Sequence, residues 1–121
     1  MDPDVVVTIE RLAERKRAYH AAAYFWVLRA LEYTRRAQQR AGHVTGRELA
    51  EGARAYALEE FGPMALDVLR HWGVGCTGDI GRIVYDLIEE EILRRTEEDS
   101  IEDFHEVYDF EQAFVRDYQW G

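Results

Sequence analysis

The chain has 121 residues, 47% of them hydrophobic, with 15 basic and 24 acidic side chains and a net charge of -9. That length suits a single domain over residues 1–121 with one core, stable without disulfides, and the lone cysteine, Cys76, excludes an internal disulfide. The most apolar run, residues 21–28, stops at Arg29, far short of the roughly 20 residues a membrane span needs, and the opening is acidic where a signal peptide would be basic. A cytoplasmic protein without membrane insertion is therefore the expectation.

Charge is divided unevenly. Residues 1–54 carry 10 basic and 7 acidic side chains, whereas residues 55–121 carry 5 and 17. So acidic a C-terminal half disfavours DNA, whose affinity rests on cationic neutralisation of phosphates, and suits solvated helix faces or a basic protein surface.

Residues 4–17 read as a weak first helix or an arm. Val5, Val6 and Val7 are poor helix formers, but Ile9, Leu12 and Ala13 have helical spacing. From Tyr19 a stretch rich in Ala, Leu and Arg predicts a helix ended by Gly42. Its consecutive aromatics Tyr24, Phe25 and Trp26 cannot share one face, so more than one neighbour should contact it. Thr45 and Glu48 match a capping box, which starts a third helix that Gly62 and Pro63 break.

Residues 61–93 predict a short helix, a glycine-rich turn and a longer apolar helix. Pro63 suits the first helical turn, Gly73 the left-handed position after Trp72, and Thr77 the cap of the next helix. Ile80, Ile83, Val84, Leu87 and Ile88 then recur along one face. Beyond them Phe104, Glu106, Tyr108 and Phe110 alternate with other residues, which reads as a short hairpin. The other reading is a helix capped by Ser100 with Asp103 three residues on. Helix, turn, helix and hairpin is the order of a winged helix. The expected fold is mainly α, winged-helix-like with a small hairpin near residues 92–110, and the alternative is an all-α bundle. Asp109 and Gln112 start a last short helix in which Phe110, Phe114 and Tyr118, followed by Trp120, form an aromatic stripe. It either closes the domain's own core or packs on another copy or a partner.

Several phrases carry a family resemblance: residues 61–64 (FGPM), 71–73 (HWG), 81–84 (GRIV), 96–100 (TEEDS), 102–104 (EDF) and 108–111 (YDFE). In combination, and over about residues 19–120, the chain resembles the planctomycete and verrucomicrobial conserved hypothetical proteins. The resemblance implies a small single bacterial domain and transfers no catalytic residues.

Gly73, Gly75 and Gly78 spell the letters of a dinucleotide fingerprint. That motif needs a preceding parallel strand, and here a helix comes first, so a tight inter-helix turn is the reading. A weaker anion site remains conceivable there, with Gly75, Thr77 and Gly78 supplying a helix start and Arg82 a cation. Cys76 precedes a helix and His71 lies five residues upstream, but a packed turn cysteine is the simpler reading. The four histidines are scattered, the one Glu-x-x-His spacing is Glu102 to His105, and Glu89, Glu90 and Glu91 point different ways, so no metal and no cofactor are expected. In a winged helix the exposed face of the helix after Thr77 would carry Asp79, Arg82, Asp86, Glu89 and Glu90, a surface wrong for phosphates. The remaining nucleic-acid route is the basic set from Arg11 to Arg40, interleaved with glutamates. These residues favour a non-enzymatic protein-binding or regulatory module with a protein partner or a second copy. Small-ligand binding at residues 73–82 is the competitor.

Overall fold

The computed structural model describes residues 2–39, 43–95 and 100–118. Over them the chain forms five α-helices joined by short helical turns: α1 (Pro3–Lys16), α2 (Ala21–Gln38), α3 (Gly46–Phe61), α4 (Ala65–His71) and α5 (Thr77–Glu89). The domain is mainly α. Among the described residues no helix is long and apolar enough to cross a membrane.

The valines of α1 do not prevent a helix, because its ends and its buried face are both secured. Pro3 sits in the first turn, the Asp2 carboxylate accepts from the Asp4 amide at 2.8 Å, and Ile9 and Leu12 are completely buried. His20 caps α2, its Nδ1 accepting from the Ala22 amide at 3.0 Å. Buried residues run around α2 from Ala23, Tyr24 and Trp26 to Leu31 and Thr34, which is the multi-sided contact the consecutive aromatics predict. The end predicted at Gly42 lies outside the described residues; α2 stops at Gln39, which takes the left-handed conformation with φ 51°.

The capping box of α3 forms in full, with the Thr45 hydroxyl and the Glu48 carboxylate each satisfying the other residue's amide. Ala50, Ala53 and Ala57 are buried against α2, and at Gly52 a Cβ would stand 1.8 Å from the Thr34 hydroxyl. Helices α2 and α3 are thus drawn together by small residues. Pro63 enters the 3-10 turn Gly62–Met64, and α4 then ends in a full Schellman motif. Gly73 (φ 91°) donates to the Arg70 carbonyl at 3.0 Å and Val74 to the Leu69 carbonyl at 2.9 Å, while Val74 and Leu69 pack together in the core.

The hairpin expected near residues 92–110 is not formed, and the winged-helix expectation is corrected to an all-α arrangement. Residues 96–99, its expected turn, lie outside the described residues, and none of the described residues is a strand. Ser100 and Asp103 form a second capping box that opens the 3-10 turn Ile101–Phe104. The apparent alternation arises because Glu106, at φ 46°, resets the chain's direction between two inward-facing groups, buried Phe104 before it and half-buried Tyr108 and buried Phe110 after it. Local capping wins over strand pairing, since no second strand is present to pair with.

Thr77 is not the helix cap expected of it. The cap position belongs to Cys76, and the buried Thr77 hydroxyl instead donates to the Phe104 carbonyl at 2.6 Å and accepts from the Val107 amide at 3.1 Å. This ties the C-terminal segment to the start of α5. The aromatic stripe then closes the core. Phe110 and Phe114 are buried with ring centroids 5.1 Å apart, and Tyr108 lies against both and donates to the Ala50 carbonyl at 2.6 Å. Its backbone is a π-helical turn, Gln112–Arg116, in place of an α-helix. Tyr118 is half-buried, and Trp120 lies outside the described residues.

Candidate functional site

The glycine-rich turn brings its site residues together, but around the protein's own carboxylate. Asp79, in the first turn of α5, accepts from the Gly75 amide at 2.8 Å and from Cys76 Sγ at 3.6 Å through Oδ2. Its Oδ1 accepts from the Tyr19 hydroxyl at 2.6 Å and from Arg82 Nη1 at 2.8 Å. Burial pushes the Asp79 carboxyl up, but these hydrogen bonds and the Arg82 charge outweigh it and hold the group below its ordinary value. The Gly75 amide and Arg82 are therefore committed to Asp79, and Thr77 to residues 104 and 107. Cys76 is exposed, and the His71 ring lies 6.4 Å from that of His20, with no hydrogen bond from His71 to Cys76.

On the face of α5 expected to be exposed, Arg82 and Glu89 are exposed, whereas Asp79, Asp86 and Glu90 are partly covered by the chain's own partners. Asp86 accepts from the Tyr24 hydroxyl and from Lys16 Nζ, each at 2.8 Å; Glu89 accepts from Lys16 at 3.2 Å and Glu90 from Arg15 at 2.6 Å. The basic last turn of α1 thus neutralises α5 within one chain. The hydrogen bonds that Lys16 donates to Asp86 and Glu89 raise its pKa, while burial leads in raising those of Tyr19 and Tyr24. Among the described residues no cluster of His, Cys, Asp and Glu has the arrangement to hold a metal ion.

A concave site lies elsewhere, between the C-terminal half of α2, the start of α3, the outer side of α5 and the segment after it. It is a cleft of about 400 Å³. Its floor is apolar, built from Leu31, Leu49, Val84, Ile88 and Phe104, and Ile92 and Leu93 form one wall. Arg35, His43 and Arg94 stand along it with Ser100 and Asp103. Each floor residue follows from its element: Leu31 and Leu49 come from the facing sides of α2 and α3, and Val84 and Ile88 flank the buried Ile83 and Leu87 on α5. Phe104 is held by the Thr77 hydroxyl bonding to its carbonyl. The one carboxylate among the described lining residues, Asp103, accepts from the Ser100 amide. Arg35 and Arg94 make no ion pair among the described residues.

Sequence reasoning missed this cleft because its floor residues are ordinary core positions by periodicity. A void between three elements leaves no local pattern. The one available signal was that Val84 and Ile88 extend the apolar stripe of α5 beyond the three positions that are fully buried. No family model, curated protein or solved structure matches the chain.

Proposed function

We propose that the protein is a non-catalytic binding module of the regulatory kind, and that its ligand seats in the cleft among α2, α3 and α5. The observation that carries this reading is a cleft with apolar side chains on its floor, lined also by two arginines that make no ion pair among the described residues. Ligand pockets combine apolar side chains with polar groups that fix orientation, and about 400 Å³ falls within their usual range. A catalytic reading lacks support: the one base that Cys76 meets among the described residues is Asp79, at 3.6 Å, and that carboxylate is already held by Tyr19, Arg82 and the Gly75 amide. The small-ligand alternative raised by the sequence is thereby moved from residues 73–82 to the cleft.

The protein-binding reading uses the same place. Ile101 is 40% exposed directly beside the rim, so an apolar side chain of a partner could enter where a small molecule does.

The test is binding of the amphipathic dye 8-anilinonaphthalene-1-sulfonate under native conditions. The natively folded protein should enhance its fluorescence saturably, and Val84→Trp, which fills the cleft, should abolish the enhancement while keeping the native far- and near-ultraviolet circular dichroism. Unchanged dye binding in a folded Val84→Trp variant would remove the cleft from the account.

A further inference from the structure

We infer that the cleft takes a small amphipathic carboxylate, its apolar body on the floor and its carboxylate between Arg35 and Arg94; this rests on the reading of the cleft as a ligand site. The polarity of the site is one-sided. Among the described residues several cations pair with the chain's own carboxylates: Arg15 with Glu90, Lys16 with Asp86 and Glu89, Arg36 with Glu32, Arg54 with Asp117, Arg70 with Glu111 and Arg82 with Asp79. Arg35 and Arg94 make no ion pair among the described residues, as is also true of surface arginines such as Arg11 and Arg47, but these two line the cleft. The one carboxylate among the described lining residues, Asp103, is turned to the Ser100 amide. A ligand that enters the cleft therefore meets apolar side chains and two guanidinium groups that make no ion pair among the described residues.

That combination selects against two large classes. A purely apolar molecule would leave the arginines with water alone, and a highly charged phosphate ester would have to desolvate over Leu31, Val84 and Phe104. A monoanionic carboxylate on an apolar body satisfies both parts, because guanidinium presents paired donors that match a carboxylate's two oxygens. Arg35 is fixed on α2 while Arg94 lies in the non-helical segment after α5, so Arg94 is the one of the two whose backbone can adjust to the ligand.

The experiment is calorimetric titration of the full chain with octanoate and with 1-octanol, which share a tail and differ in the head group. Octanoate should bind at least about tenfold more tightly, the worth of a charge-assisted hydrogen bond. Arg35→Gln with Arg94→Gln should erase that preference while leaving octanol binding intact. Should the double variant fail to fold, Arg94→Gln alone, outside every helix, should still reduce the preference. Equal affinities for the two compounds in the wild type would overturn the carboxylate assignment while leaving the cleft as an apolar site. No binding of either, or binding undiminished in Val84→Trp, would overturn the cleft itself and the carboxylate with it.

Discussion

Phe104 lies over Gly81 so closely that a Cβ added there would stand 2.8 Å from the Cβ, Cγ and Cδ2 of the phenylalanine. The absence of a side chain on α5 is what admits the ring, and the ring in turn forms part of the cleft floor. Alanine at position 81 would gain about 1 kcal/mol of helix propensity but impose an overpacking cost of about 1–3 kcal/mol, because the contact is with the base of the ring and not a flexible tip. Gly81→Ala should therefore lower stability in chemical denaturation. A stabilised Gly81→Ala protein would contradict the contact.

The Asp79 seam makes acid stability predictable in sign. Because the folded protein holds this carboxyl below its ordinary value of 3.8, the stabilisation is present above that pH and is lost as pH falls through the lower folded value. Asp79→Asn should weaken the protein near neutrality and flatten the acid limb of its stability-pH curve. At the other extreme Tyr19, Tyr24 and Tyr108 are raised from 10.0, with burial as the leading cause. Their contribution is complete below that value and lost as pH rises through the folded values. Phenolate absorbance should show these three ionising only with unfolding.

Helix α5 closes on a residue poorly suited to its task. Glu91 takes the left-handed conformation at φ 61°, so that Glu91 donates to the Ile88 carbonyl and Ile92 to the Leu87 carbonyl, each at 2.9 Å. Glycine adopts this geometry without the Cβ strain, at some cost in chain entropy. Glu91→Gly should raise stability by about 0.5–1 kcal/mol, visible as a higher denaturant midpoint with an unchanged slope.

Much of the fold was legible where local chemistry decides it. The Thr45–Glu48 box, the Gly73 turn and the apolar stripe from Ile80 to Leu87 each stand as their residue types require. The errors fall where tertiary partners decide. Thr77 has the right type and place for a cap, yet its hydroxyl serves residues 27 and 30 positions away. The alternating residues after Ser100 look like a strand to any period-based reading, because two local turns can imitate a period of two. Asp79 and Asp86 look exposed by helical phase, and only the placement of α1 and α2 reveals Tyr19, Tyr24 and Lys16 against them. The cleft was least legible of all, since it is defined by what α2, α3 and α5 fail to fill.

The aromatic stripe tests whether the C-terminal segment is core. Phe114 is 2% exposed and stacks edge-on to both Phe110 and Tyr108. Phe114→Ala should cost about 3–5 kcal/mol, and deletion of residues 109–121 should lower the melting temperature sharply. A truncated protein that melts as the intact one does would place these rings outside the core.

The most direct measurement is amide chemical-shift mapping of the native protein titrated with octanoate. The account predicts saturable shifts that gather on Leu31, Leu49, Val84, Ile88 and Phe104 and on Arg94, with Gly75 and Arg82 unmoved because Asp79 already occupies them. Shifts centred on Gly75 to Arg82, or none at concentrations that saturate the dye site, would contradict it.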